Sequence, residues 1–274
     1  MSRDMWDPAV YGRYADERAR PFFELIARVR ADDPEYVVDL GCGTGELTAA
    51  LCERWPGAAV HGVDSSPAMI AKAPKAPKAP EGPEGPEGPE GPAFSVGDVR
   101  SWRPERPVDV IVSNALLQWV PEHRELLPGW VGALRPGGWL AFQVPGNFDA
   151  PSHALVRQVC AGDAWRDELG DLVRYTPVGD PEEYLSLLAG LGCEVDTWET
   201  TYVHLLQGEN AVLNWIMGTA LRPMLDRIGA DEHRREAFLA DCARVLAEAY
   251  PRRSYGTAFP FRRVFVVARA PRPA

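Results

Sequence analysis

Residues 37 to 45, Val-Val-Asp-Leu-Gly-Cys-Gly-Thr-Gly, constrain the fold more than any other stretch of the chain. β-Branched and apolar residues end in an acid, and glycines follow at alternate positions 41, 43 and 45. Such a run is a buried parallel strand covered on both faces. The glycines bend the backbone sharply and let it approach a ligand. Leu47, Ala50, Leu51 and Trp55 then recur at helical spacing, so a helix follows the turn. A strand, a tight glycine turn and a helix together make either a small-molecule cradle or a purely structural turn of an α/β protein.

Spacing narrows the ligand. The dinucleotide fingerprint is G-x-G-x-x-G, with the helix N-terminus open to a pyrophosphate. Here the third glycine comes one residue early and Asp39 precedes the first. A carboxylate beside the turn repels a pyrophosphate and suits an amino group. The pattern D-x-G-x-G-x-G resembles the first motif of the class I methyltransferases, in which this loop holds the methionine end of S-adenosylmethionine.

Two further acids follow in step. Ala59 to Asp64 is a second short strand ending in an acid, placed where a carboxylate can accept both hydroxyls of a ribose. Ser65-Ser66-Pro67 caps a new helix, on which Met69 is either core or a platform for an adenine. Ala93 to Val96 is a third strand, and Asp98 beyond it can accept from an adenine amino group. In an open parallel sheet the carboxyl ends of the strands form the ligand crevice. Asp39, Asp64 and Asp98 thus outline one cradle.

Val108 to Val112 is a fourth strand and Trp139 to Val144 a fifth, with Ser113 to Trp119 emerging from the fourth. Between them a helix is expected from about Glu122 to Leu134, interrupted at Pro128-Gly129 and stopped by Arg135-Pro136-Gly137-Gly138. Alternating strands and helices with short links indicate a doubly wound, Rossmann-like α/β sheet. Residues 72 to 92 interrupt it with Lys-Ala-Pro and Glu-Gly-Pro tripeptides. Proline at every third position forbids α-helix, so this insertion is expected to be a disordered polyproline II excursion without a catalytic role.

The flanking sequence differs in texture. Residues 8 to 30 form a helical arm with Phe22, Leu25, Ile26 and Val29 on one face. Helices are expected around Leu155 to Cys160, Tyr184 to Leu191, Glu209 to Leu221 and Asp231 to Tyr250, with strands at Cys193 to Leu206 and Phe259 to Ala268. One domain spanning 1–274 follows, with its core at about 31–146, 180–206 and 258–270. Helical cap insertions come from 1–30, 147–179 and 207–257.

The 29 basic and 39 acidic residues, a formal charge of -10, argue against a nucleic-acid or anionic-membrane partner. No run of about 18 apolar residues exists to span a bilayer. Five dispersed cysteines without a C-x-x-C pair indicate free thiols and a cytoplasmic setting. Cys42, inside the turn, is either a nucleophile or, more simply, a small residue tolerated in a tight loop.

The resemblance extends well beyond the glycine turn. Glu17 to Pro21, Asp39 to Gly45, Asp64 to Ile70, Leu117-Gln118-Trp119, Gly192 to Asp196, Thr200-Thr201-Tyr202, Ala220 to Pro223 and Phe259-Pro260 resemble the trans-aconitate 2-methyltransferase family of class I methyltransferases. The tripeptide insertion is the departure from that pattern. The resemblance implies a seven-stranded sheet with its last strand antiparallel, and S-adenosylmethionine as cofactor. It implies that Asp39, Gly41 and Gly43 border the methionine moiety and that Asp64, with Ser65, holds ribose. Asp98 and Val99 would then lie at the adenine, and Asn114 and Ala115 near the sulfonium.

Methylation of a carboxylate needs alignment rather than proton transfer, because a carboxylate with pKa near 4 is already ionised at pH 7. No metal and no catalytic triad are expected. A small polycarboxylate needs cations, and arginine forks match carboxylates. Arg18, Arg20, Arg222, Arg262 and Arg263 are the candidates, with Tyr11, Trp119, Tyr202 and His204 shaping the pocket. His204 also admits a general-base reading, which would go with a hydroxyl or amine acceptor. A third reading is a cofactor-binding protein without chemistry. The partner expected is a small anionic substrate, and the chain a monomer or weak homodimer.

Overall fold

A computed structural model describes residues 15–74, 91–173 and 178–272, with the backbone alone at 15–18 and 173. Tyr11 and most of the tripeptide insertion lie outside the described residues. Seven strands form one sheet in the order β3-β2-β1-β4-β5-β7-β6, with the last strand antiparallel. They are β1 (Tyr36–Leu40), β2 (Ala59–Asp64), β3 (Ala93–Val96), β4 (Val108–Asn114), β5 (Leu134–Pro145), β6 (Glu194–Leu206) and β7 (Thr257–Arg269).

The chain runs outward from β1 through β2 to β3, then returns to lay β4 on the other side of β1, all in parallel. Val37, Val38 and Leu40 are fully buried, as a central strand covered on both faces requires. This reversal of winding between β1 and β4 is the topological switch point, where a crevice opens at the strand carboxyl ends. Asp39 pairs in register with Val112, so the turn after β1 lies beside the end of β4.

Helix α1 (Ala15–Ala27) buries Phe22, Leu25 and Ile26, and α2 (Glu46–Arg54) follows the glycine turn. The short α3 (Pro67–Ile70) is capped by the Ser66 hydroxyl, which accepts from the Met69 amide, with Pro67 in its first turn. Helix α4 (His123–Gly132) runs unbroken through Pro128, where an interruption was expected. A helix forfeits one amide hydrogen bond there and strains one turn, and burial of Leu127 and Trp130 offsets that cost. Arg135 to Gly138, expected to stop the helix ahead of a strand at Trp139, already belong to β5. Val108 pairs with Leu134 but Val110 with Trp139, so three extra residues bulge from β5, with Gly137 at φ 75°.

The chain divides into two compact units, Met1–Val144 with Val178–Glu199 and Val264–Ala274, and Pro145–Pro177 with Thr200–Arg263. The arm helix α1 is in the first, where Arg28 pairs with Asp196 at 3.0 Å and its guanidinium lies 4.8 Å from the Trp198 ring. The first unit also contains α7 (Pro181–Gly190). The second contains α5 (Pro151–Ala161), α6 (Arg166–Leu169), α8 (Ala211–Met217), α9 (Arg222–Ile228) and α10 (Glu232–Ala249). Where one helix was expected from Glu209 to Leu221, α8 stops at Gly218 and α9 starts afresh with Pro223 in its first turn. Phe238, Cys242 and Leu246 form the buried stripe of α10.

Candidate active site

The first unit assembles its cradle around the glycine turn. The amides of Gly41 and Cys42 donate to the Val63 carbonyl at 2.8 and 3.1 Å, which ties the turn to β2. Gly41, Gly43 and Gly45 all have φ between 57° and 79°, a region that L side chains rarely adopt. They differ in what surrounds them. A Cβ at Gly41 would meet Leu116 at 2.9 Å and one at Gly45 would meet Phe94 at 2.4 Å, whereas one at Gly43 would meet nothing within 4 Å. Gly41 and Gly45 therefore serve packing, and Gly43 faces open space.

Asp64 closes the turn from β2. Its Oδ2 accepts from the Gly43 amide at 2.9 Å and its Oδ1 from the Ser66 amide at 2.8 Å. Each carboxylate oxygen keeps lone-pair capacity for one more donor, so two vicinal hydroxyls can still be accepted. Asp39 lies beneath the turn, 2% exposed. Its Oδ2 accepts from the Thr48 hydroxyl at 2.6 Å, while its buried Oδ1 has no hydrogen-bond partner among the described residues. Burial pushes its pKa up to about 6, the Thr48 hydrogen bond acts against this, and the nearby Asp64 charge adds to it. Two acids so close, one with an unused oxygen, make a site for a cationic ligand.

Cys42 answers the nucleophile question. Burial, then the charges of Asp39 and Asp64, drive its thiol well above the ordinary range, so it stays protonated and inert. All five cysteines are free thiols.

At the end of β4, Ala115 takes φ 55°, uncommon for a residue with a Cβ. Its amide donates to the Gln143 carbonyl at 2.9 Å, and the Gln143 side-chain amide donates to Asn114 Oδ1 at 2.6 Å. Gln143, on β5 and 1% exposed, thereby holds both residues expected near the sulfonium. Asp98 is placed differently from the other two acids. Arg100 grips both its oxygens, at 2.9 and 3.1 Å from Nε, and holds its carboxyl below the usual range. Val99 and Met69 are buried, at 6% and 4% exposed, and Ser65 is exposed. Trp119 is half-buried on a single 3-10 turn, Leu117–Trp119.

The sequence-predicted cations fall into three settings. Arg20, on α1, pairs with Glu24 one turn along at 2.9 Å and is mostly exposed, and the Arg18 side chain lies outside the described residues. Arg222 pairs with Asp226 at 3.1 Å within α9. Arg262 and Arg263 sit on β7 beside an aromatic cluster of the second unit. The Asn147 side chain clamps the Arg262 backbone, accepting from its amide at 2.7 Å and donating to its carbonyl at 2.9 Å. The Arg263 guanidinium lies 4.7 Å from the Phe261 ring centroid. His204 stacks on Trp215 at 4.6 Å, with Tyr202 and Phe261 at 6.3 and 6.1 Å. The imidazole is walled by rings.

Sequence reading missed Thr48, Phe94, Gln143, Asn147 and Trp215. Gly62 was the available signal for Phe94, since a glycine within a β-branched strand marks a close approach. A Cβ there would meet that ring at 2.7 Å.

A family model described as a methyltransferase domain matches residues 11–230. The chain belongs to this methyltransferase family. It is similar to trans-aconitate 2-methyltransferase of Streptomyces avermitilis, 52% identical over 96% of both chains. The protein of that name from Rhodococcus jostii is 52% identical over 96% of this chain and 99% of its own. The one from Streptomyces coelicolor is 50% identical over 97% of this chain and 87% of its own. Among solved structures, YcgJ of Bacillus subtilis has a TM-score of 0.56 at 14% identity, covering 93% of this chain and all of its own. A Haloferax volcanii putative methyltransferase in complex with its Trm112 activator gives 0.55 at 17%, covering 100% and 99%. At such identities these two share the fold with the enzyme.

The cradle fits S-adenosylmethionine. Its orphaned Asp39 oxygen suits an ammonium, Asp64 has capacity for two hydroxyls, and Gly43 leaves room where a side chain would intrude.

Proposed function

We propose that the enzyme transfers the methyl group of S-adenosylmethionine to a carboxylate of trans-aconitate, or of a closely similar small polycarboxylate, forming a methyl ester. The observation that carries this reading is identity of 50 to 52% along nearly the whole chain to proteins bearing that name. When bound, the cofactor supplies a methyl group on a sulfonium that is its own leaving group.

The chain's own groups then bind, orient and dry. Asp39 and Asp64 neutralise and seat the donor, and Gln143 fixes Asn114 and Ala115 at the end of β4. On the acceptor side, Arg262 is the best-prepared cation because its backbone is clamped at two points by Asn147. Arg263 and Arg222 add positive charge, and Tyr202, His204 and Trp215 supply apolar wall. Stripping water from an already ionised carboxylate raises its nucleophilicity, and alignment at near-attack distance supplies about 7 to 11 kcal/mol. No proton has to move at the reacting oxygen, so His204 acts as wall rather than base.

The test is incubation with methyl-labelled S-adenosylmethionine and trans-aconitate, followed by mild alkali. Label appearing in a base-labile ester supports the reading. Label appearing instead in a phenol or amine, with none in trans-aconitate, replaces it by the hydroxyl or amine alternative.

A further inference from the structure

The Thr48 hydroxyl is 2.6 Å from Asp39 Oδ2 in a fully buried setting, and the other oxygen of the same carboxylate is buried without a partner among the described residues. A native fold rarely leaves a buried acceptor unsatisfied, because doing so forfeits its hydration. The two facts belong together. Thr48 enters on α2, Asp39 on β1, and the glycine turn joins them, so the hydroxyl reaches the acid across the base of the cradle. By occupying one oxygen and fixing the carboxyl rotamer, it decides which oxygen is left.

We propose that Thr48 is a positioning residue that orients Asp39 so that Oδ1 receives the ammonium of the cofactor's methionine moiety, and that seating this cation expels a proton from Asp39. This rests on S-adenosylmethionine as the cofactor and is independent of the acceptor. Among the described residues, the titratable and hydrogen-bonding groups facing Asp39 are the Thr48 hydroxyl from α2, the Asp64 carboxylate from β2 and the Cys42 thiol from the turn. None is a cation. Without a ligand, the raised pKa keeps part of the Asp39 population protonated near pH 6. An ammonium at Oδ1 removes the reason for that proton to stay.

Two probes separate positioning from structure. S-Adenosylhomocysteine carries the amino-acid moiety, and 5′-methylthioadenosine lacks it while keeping adenine, ribose and sulfur. Titration calorimetry of Thr48→Val should show roughly tenfold weaker binding of S-adenosylhomocysteine, the loss expected for a charge-assisted contact. Methylthioadenosine affinity should be unchanged, and Thr48→Ser should restore wild-type values. In the wild type near pH 6, titrations in buffers of different ionisation enthalpy should reveal proton release with S-adenosylhomocysteine and none with methylthioadenosine.

Equal weakening of both probes in Thr48→Val, or failure of serine to rescue, would make Thr48 structural and overturn the proposal. So would S-adenosylhomocysteine binding near pH 6 without proton release. Should the valine variant fail to fold, the wild-type proton count and the serine variant still decide. Failure of the wild type to bind either probe would overturn the cofactor assignment along with the proposal.

Discussion

The acids of the first unit and the arginines of the second are held in opposite ways. Asp39 and Asp64 are fixed by short hydrogen bonds from Thr48, Gly43 and Ser66, within a turn whose geometry leaves them little freedom. Arg222 is paired by its side chain to an acid one turn away, and Arg262 is fixed by its backbone, through Asn147. The acids are thus held oxygen by oxygen, whereas Arg262 is held along its backbone and through its guanidinium, which donates to the Gly146 carbonyl at 3.3 Å. Changes among the acids should damage cofactor binding, and changes among the arginines should damage acceptor binding alone.

The largest effect is expected at Asp64. Replacing it by alanine removes the acceptor of the Gly43 and Ser66 amides and, in the proposed reading, both acceptors for ribose hydroxyls. S-Adenosylhomocysteine affinity measured by calorimetry should fall about 100-fold or more, as expected for two lost charge-assisted hydrogen bonds. A loss below fivefold would show that the turn holds the nucleoside without it.

Asp39→Asn comes next and has two opposed consequences. Cofactor affinity should fall about tenfold for one lost ion pair. Stability should move the other way. The folded pKa of Asp39 is raised from 3.8 to about 6, so its contribution to stability is fully present below 3.8 and is lost as pH rises through 6. At pH 7.5 the ligand-free enzyme therefore carries a strained anion, and asparagine should stabilise it by up to about 2 kcal/mol, within the free-energy equivalent of such a shift. Thermal melting with and without S-adenosylhomocysteine reads both effects.

Arg262→Ala should raise KM for trans-aconitate about tenfold, as for loss of a carboxylate contact, while leaving S-adenosylhomocysteine affinity unchanged. A fall in cofactor affinity instead would erase the contrast between the two regions.

How much of this was legible beforehand follows from the same contrast. The three acids could be found because each ends a predicted strand, and the crevice rule turns strand order into position. Gly43 was legible as part of a motif, but that it alone of the three glycines faces open space required Leu116 and Phe94 to be placed. Asp98 was found as an acid, while its engagement by Arg100 depends on a local turn that composition does not reveal. The arginines were identifiable only as a pool. Asn147 and Arg262 are 115 residues apart, and no periodicity connects them. The same limit applied to Pro128, whose helix persists because of what it packs against.

A smaller effect separates the units by pH. His153, in the second unit, is hydrogen-bonded through Nδ1 to the Ser152 hydroxyl at 3.0 Å, and burial lowers its pKa from 6.5 to about 4. A depressed histidine contributes fully above 6.5 and loses that contribution as pH falls toward 4. The melting temperature should drop across that window, less steeply in His153→Gln, while cofactor affinity at pH 7.5 stays unchanged. Smallest of all should be deletion of residues 75 to 89, expected to leave kcat, KM and cofactor affinity unchanged.

In the proposed reaction the enzyme aligns an ionised carboxylate and moves no proton at the reacting oxygen. The dependence of kcat on pH, measured with trans-aconitate at saturating S-adenosylmethionine from pH 6.5 to 9, tests it most directly. A flat profile is expected, because the acceptor is ionised throughout that range. A rising limb near neutrality that disappears in His204→Phe would contradict it and make His204 a general base.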